Sequence, residues 1–117
     1  YLCPDDFYIW SGNDDQVVPM MALGAKGVIS VASNIIPEVM LKMSHLCLEN
    51  DFEAASQLQI RYMDLIDALF CEVNPIPIKA AMNLMGMEAG PLRLPLCDIS
   101  DKNLAVLRAS MERMGLL

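Results

Sequence analysis

The sequence has few basic residues and no cluster of them. Its 117 residues include eight Lys and Arg against fifteen Asp and Glu, and the formal net charge at pH 7 is −7. Because a surface that binds nucleic-acid phosphates needs clustered Lys and Arg, this composition excludes nucleic acid as a partner. A phosphate-binding loop is excluded as well, because GAKGVIS lacks the GxxxxGK[ST] spacing and leads into a strand pattern.

Long apolar runs are also missing. No stretch approaches the roughly 20 residues that span a bilayer, and the first residues lack the charged-then-apolar pattern of a secretory signal. We therefore expect a soluble cytoplasmic protein with no membrane partner. The chain begins with Tyr1 rather than Met, from which we expect processing, proteolysis or a cloning boundary upstream.

The sequence lacks metal and redox motifs. Cys3, Cys47, Cys71 and Cys97 form no CxxC pair, and His45 is the only histidine. This spacing is unlike that of a zinc or thiol redox site, so we predict no metal site and four buried, reduced thiols. His45 is predicted to have a structural role.

What the sequence does contain is a high proportion of apolar residues, 55%, with ten methionines, which is typical of a well-buried or oligomer-forming protein. Two short runs have strand composition, Phe7 to Ser11 and Gly27 to Val31. A helical pattern from Asp15 to Leu23, with a stop at Gly24, separates them and predicts a parallel strand pair. Because two parallel strands alone leave edges and apolar faces open, we expect part of a larger α/β barrel.

After the second strand the sequence predicts only helices. Pro37 begins one helix, Asp51 caps the next, and Ser100 caps the last. Another follows Asn74 to Pro77 and ends at Gly86. The residues predicted to face the core are Val39 or Met40, Met43, Leu46 and Cys47; Ala54, Leu58, Tyr62, Leu65 and Leu69; Ile78, Met82 and Met85; and Leu104, Leu107, Met111 and Met114.

Polar residues follow each predicted strand. Residues 13–15, Asn-Asp-Asp, have the composition of a carboxylate pair for acid and base catalysis, but their place before a helix favours capping of its free amides. Ser30, Ser33 and Asn34 follow the second strand and are predicted to cap or to form loop hydrogen bonds. We assign no catalytic role to any of them.

Several motifs together resemble one known family. SGNDD, LGAKGVISVASNIIP, NPIPIKAAMNLMG, PLRLPL and ERMGLL are similar in order and spacing to the C-terminal part of the dihydrodipicolinate synthase family, nearly end to end. That family belongs to the pyruvate-dependent aldolases, with N-acetylneuraminate lyase. The resemblance implies the C-terminal part of a (β/α)8 TIM barrel followed by a small all-helical domain. Residues 1–50 would form the last two β/α units and residues 51–117 the helical C-terminal domain.

The resemblance also implies an activity. The family condenses pyruvate with L-aspartate 4-semialdehyde on the route to diaminopimelate and lysine, through a Schiff base between a lysine amine and pyruvate, without a cofactor. Such a lysine lies near the C-terminal ends of the barrel strands. None of Lys26, Lys42, Lys79 and Lys102 is predicted to lie there. We therefore expect no catalytic residue in this chain, which would be inactive alone although its parent protein is an enzyme.

Two positions match residues that line the pyruvate pocket in the family. Ile29 corresponds to the isoleucine of the GVIS strand, whose main chain lies beside the Schiff base, and Gly12 to a glycine at the end of the preceding strand. The alternatives are a barrel-core residue for Ile29 and a turn for Gly12. The resemblance favours pocket lining for both.

Alternatives to a synthase remain open at this point. NPIPIK and LRLPL favour the synthase. A sister lyase, of the N-acetylneuraminate lyase or keto-deoxy sugar acid aldolase type, stays an alternative, because the residues that select the aldehyde fall outside the chain. A non-catalytic assembly module is a third interpretation, since open strand edges favour association. The expected partners are the N-terminal barrel half, further copies of the chain as in the family tetramer, and the two substrates.

Overall fold

The computed structural model describes residues 2–117, which fold mainly into helices. The five α-helices are α1 (Val17–Ala22), α2 (Pro37–Leu48), α3 (Phe52–Leu69), α4 (Ile76–Leu84) and α5 (Asp101–Arg113), and two 3₁₀ helices cover Asp14–Gln16 and Ala32–Asn34. None of the helices in residues 2–117 is long and apolar enough to cross a membrane. The division at residue 50 into two domains stays a prediction.

The two predicted strands pair in parallel but do not form a sheet. Ser11 and Val28 make a single parallel bridge, supported by three backbone hydrogen bonds of 2.8 to 2.9 Å between residues 9–11 and 26–29. The parallel direction is thus confirmed, whereas the prediction of full strands over 7–11 and 27–31 is wrong for this chain. Each segment has a neighbour on one side only, and parallel strands are normally stable within larger sheets.

The first segment exposes apolar side chains. Phe7, Tyr8, Ile9 and Trp10 are consecutive, and each is between 48% and 63% exposed. The Trp10 ring lies directly over Gly27, where a Cβ would approach ring carbon Cζ3 to 2.7 Å, so glycine alone leaves room for the ring. This edge is an apolar surface of the kind that proteins normally cover.

The predicted starts of α2, α3 and α5 are confirmed, whereas α4 begins at Ile76, inside the turn predicted over 74–77. Pro37 is the first residue of α2, and the Asp51 side chain accepts a hydrogen bond of 3.1 Å from the Ala54 N–H at the start of α3. Ser100 in turn accepts from the Asn103 N–H at the start of α5. These caps are local in sequence, because the side-chain oxygen reaches an amide only three residues away.

The core is built mainly from α2, α3 and α5. Its fully buried members include Met43 of α2, Leu65 and Leu69 of α3, and Leu107 and Met111 of α5, all among the predicted core residues. The predicted face of α3 is off by one residue at its start. Ala55 and Gln59 are buried there, while Ala54 and Leu58 are only half-buried.

Two carboxylates join α5 to the rest of the helical region. Asp64 of α3 accepts hydrogen bonds from the Ser110 hydroxyl at 2.5 Å and from the Arg113 guanidinium at 2.6 Å. Glu72 accepts from the backbone N–H and hydroxyl of Ser100 and from the Asn103 amide. Hydrogen bonds from Ser100, and then from Asn103, lower the pKa of the Glu72 carboxyl.

Asp64 is expected to make stability depend on pH in the acid range. Hydrogen bonds from Ser110, and then from Arg113, hold the pKa of Asp64 below its ordinary value of about 3.9 in an unfolded chain. A carboxyl whose pKa is lower in the folded than in the unfolded state stabilises the fold at pH values above the unfolded-state pKa. This contribution disappears as the pH falls through the folded-state pKa. In urea unfolding at a series of pH values, Asp64→Asn should flatten the loss of stability below about pH 4. The exposed Asp67 of the same helix provides the control, Asp67→Asn, and equal slopes for the two variants would contradict the assignment.

Candidate functional site

Gly12 and Ile29 line one cavity of about 560 Å³ at the ends of the paired segments. Ser30 and Val31 of the second segment and Asn34 of the 3₁₀ helix that follows complete that side. The opposite wall comes from α4 and the turn before it, through Asn74, Pro75, Ile78, Lys79 and Met82. The structure therefore brings together the two site residues predicted from sequence and adds a wall from the helical region.

The α4 wall was missed by the sequence analysis. NPIPIK is part of one of the motifs that resemble the family, but its helical pattern predicts only a place in the helical region. The sequence did contain a signal for this wall. A turn followed by a helix start places backbone groups and a short side chain such as Asn74 at the end of an element, where binding sites commonly form.

Lys79 corrects the expectation that no lysine of this chain lies near the ends of the paired segments. It lies in the first turns of α4, as predicted, yet it lines the same cavity as Gly12 and Ile29. Its ammonium group donates a hydrogen bond of 2.6 Å to the Pro91 carbonyl oxygen. Lys79 also borders a second cavity of about 450 Å³ between α4 and α5, which contains no residue of the paired segments. The amine is thus near the candidate site but is hydrogen-bonded to Pro91, in the irregular segment between α4 and α5.

Asp14 joins the ends of the two segments. Its side chain is fully buried, and carboxylate oxygen Oδ2 accepts from the Val31 N–H at 2.9 Å and from the Ala32 N–H at 3.0 Å. The other oxygen, Oδ1, is buried without a hydrogen-bond partner among residues 2–117. Capping of free amides is therefore the role of Asp14, but the amides belong to the second 3₁₀ helix and not to the helix that Asp14 begins.

The neighbouring polar residues make local hydrogen bonds. Asn13 precedes the first 3₁₀ helix without a side-chain cap, so its predicted capping role is wrong. The Ser30 hydroxyl oxygen accepts from the Ser33 N–H at 2.8 Å, and the Asn34 amide donates to the Val31 oxygen at 2.9 Å. These bonds confirm loop hydrogen bonding after the second segment.

The four cysteines are free, but only part of the prediction for them is right. Cys47 is buried, and that burial raises the pKa of its thiol. Cys71 is half-buried, and burial followed by the nearby Glu72 charge raises its pKa too. Cys3 and Cys97 are exposed, so the prediction of four buried thiols is wrong. Both lie in irregular segments, where no apolar helix face covers them.

The family model described as the dihydrodipicolinate synthetase family matches residues 1–114. The chain belongs to this family. A synthetase-family relative from Acetivibrio thermocellus, named 4-hydroxy-tetrahydrodipicolinate synthase, is 51% identical over 116 residues, which cover 99% of this chain and 40% of the relative.

Solved structures of the synthetase family have the same fold over this region. The dihydrodipicolinate synthase of Thermotoga maritima superposes with a TM-score of 0.91 at 42% identity, covering 96% of this chain and 38% of that one. The Acinetobacter baumannii synthase, described as complexed with pyruvate, has a TM-score of 0.90 at 34% identity over 95% of this chain and 38% of its own. The chain thus spans about 40% of the length of these relatives.

Proposed function

We propose that this chain is the C-terminal part of a 4-hydroxy-tetrahydrodipicolinate synthase, which condenses pyruvate with L-aspartate 4-semialdehyde by way of a Schiff base. The observation that carries the proposal is the cavity at the strand ends, lined by Gly12 and Ile29, in a chain of this family. Residues 1–50 would supply the last two β/α units of a TIM barrel and residues 51–117 its helical C-terminal domain.

In this proposal the backbone of the two segments binds the pyruvate end of the intermediate. The Ile29 N–H already donates to the Ser11 oxygen at 2.9 Å, so the Ile29 carbonyl oxygen is the group it offers to the Schiff base. A Cβ at Gly12 would meet no atom within 4 Å, so the space beside this glycine is open to substrate. Neither role requires a reactive side chain.

The reactive lysine would come from the N-terminal barrel half. Its neutral amine would attack the pyruvate carbonyl and, with loss of water, form an imine. The electron-withdrawing imine nitrogen permits removal of a proton from the pyruvate methyl group, and the resulting carbon nucleophile attacks the aldehyde. Lys79 does not fit this role, because its ammonium group is engaged by the Pro91 oxygen at 2.6 Å. We propose that it borders the pocket without forming the imine.

Reductive trapping tests this assignment. The chain would replace its matched segment in the Acetivibrio thermocellus relative, and the chimera, its Lys79→Met variant and the isolated chain would each be treated with pyruvate and borohydride. We expect both chimeras to gain a pyruvate adduct on a lysine outside residues 1–117, and the isolated chain to gain none. An adduct on Lys79, or on the isolated chain, would overturn the division of roles.

An assembly role is the second candidate, and the exposed apolar run Phe7 to Trp10 favours it. Homo-oligomerisation, as in the family tetramer, is compatible with both candidates. The trapping experiment separates the two candidates. If the isolated chain self-associates but the chimera gains no pyruvate adduct, the chain has only the assembly role. A sister lyase, by contrast, would trap pyruvate and accept a different aldehyde.

A further inference from the structure

Gln59 is a buried polar residue in the apolar face of α3. Its side chain is 5% exposed, and its amide nitrogen Nε2 donates to the Asp14 carbonyl oxygen at 2.8 Å. Its oxygen Oε1 accepts from the Val18 N–H at 3.3 Å. One side chain of the helical region therefore holds two backbone groups that lie 45 and 41 residues earlier in the chain.

The same backbone segment is tied to the second strand end. Asp14 follows Gly12 by two residues, and its carboxylate holds the N–H groups of Val31 and Ala32, which follow Ile29 by two and three residues. Gln59 is thus connected through Asp14 to both segments that line the candidate cavity. All of these hydrogen bonds involve Asp14 or Gln59, whose side chains are buried, and hydrogen bonds are stronger in such surroundings than in water.

We propose that Gln59 is a positioning residue that acts through Asp14 to hold Gly12 and Ile29 at the spacing pyruvate requires. The inference rests on the proposed function and extends it to α3 of the helical domain, which contributes no residue to the cavity wall. Gln59 lies outside the residues that line the cavity, so its influence on substrate is indirect. Small displacements of substrate-binding backbone have large kinetic effects, and a buried connection of this kind prevents them.

The test uses the chimera described above with Gln59→Met, which keeps the length of the side chain and removes both hydrogen bonds. Gln57→Met is the matched control, because Gln57 is an exposed residue on the same helix. We expect Gln59→Met to raise the pyruvate concentration for half-maximal borohydride trapping about tenfold, with the trapped fraction at saturation unchanged. Gln57→Met should match the unsubstituted chimera.

Hydrogen exchange of the segment 28–34 provides the second measurement. Loss of the Gln59 bonds should speed exchange of the Val31 and Ala32 amides, and the control should not. The inference would be overturned if Gln59→Met left the pyruvate concentration for half-maximal trapping unchanged, or if it left the exchange rates unchanged. A lower trapped fraction without a change in that concentration would also overturn it, because this result indicates a merely structural role. If the unsubstituted chimera traps no pyruvate, the proposed function fails, and the exchange rates alone decide whether Gln59 orders the segment.

Discussion

Asp14→Ala is expected to lower the free energy of unfolding by about 3 kcal/mol, because it leaves the Val31 and Ala32 amides without an acceptor. Hydrogen bonds to a charged group contribute about 1.5 to 3 kcal/mol each, and the unpaired buried oxygen Oδ1 offsets part of that sum. Urea unfolding followed by far-UV circular dichroism measures the change.

Asp15→Ala is the matched control, since it removes the same group from the next residue, which is exposed. Its effect should stay within about 0.5 kcal/mol. Equal losses for the two variants would show that the connection between the segment ends contributes nothing to stability. A large loss for Asp14→Ala alone would support the role of this carboxylate in fixing the cavity wall.

Leu65→Ala is expected to cost about 3 kcal/mol of unfolding free energy, through lost burial and the cavity left behind. Leu65 is 0% exposed and belongs to the same buried cluster as Leu107 and Met111 of α5. Ile60→Ala on the same helix should change stability by less than about 0.5 kcal/mol, because Ile60 is 74% exposed. Similar effects for both variants in urea unfolding would contradict the core described for α3.

The helical part of the fold was predictable because its signals are local. The Asp51 and Ser100 caps act on amides three residues away, and Pro37 fixes a backbone angle suited to a helix start. Core positions such as Met43 and Leu107 follow from helical periodicity in the same way.

The paired segments were less predictable, because strand formation depends on neighbours that are distant in sequence. Residues 7–11 have strand composition, but their hydrogen bonds need partners on both sides, and the second segment supplies only one. The helical crossover between them, rather than their composition, correctly indicated the parallel direction. The composition carried no information on how many backbone groups would pair.

The candidate site was predictable only through the resemblance. Gly12 and Ile29 have no reactive group that would mark them, and they were found because they match family positions. Gln59 was missed, although a polar residue on an apolar helix face is itself a signal of a buried partner. Its partners at Asp14 and Val18 belong to another element, so no local pattern identifies them.

The position of Trp10 gives the molecule an intrinsic optical reporter. This residue is the only tryptophan of the chain, and its half-exposed ring covers Gly27 where the two segments pair. Indole fluorescence shifts to shorter wavelengths when water is removed from the ring. Covering of this edge by another polypeptide would therefore be visible as a blue shift, so that its association with this chain can be measured by titration without any added label.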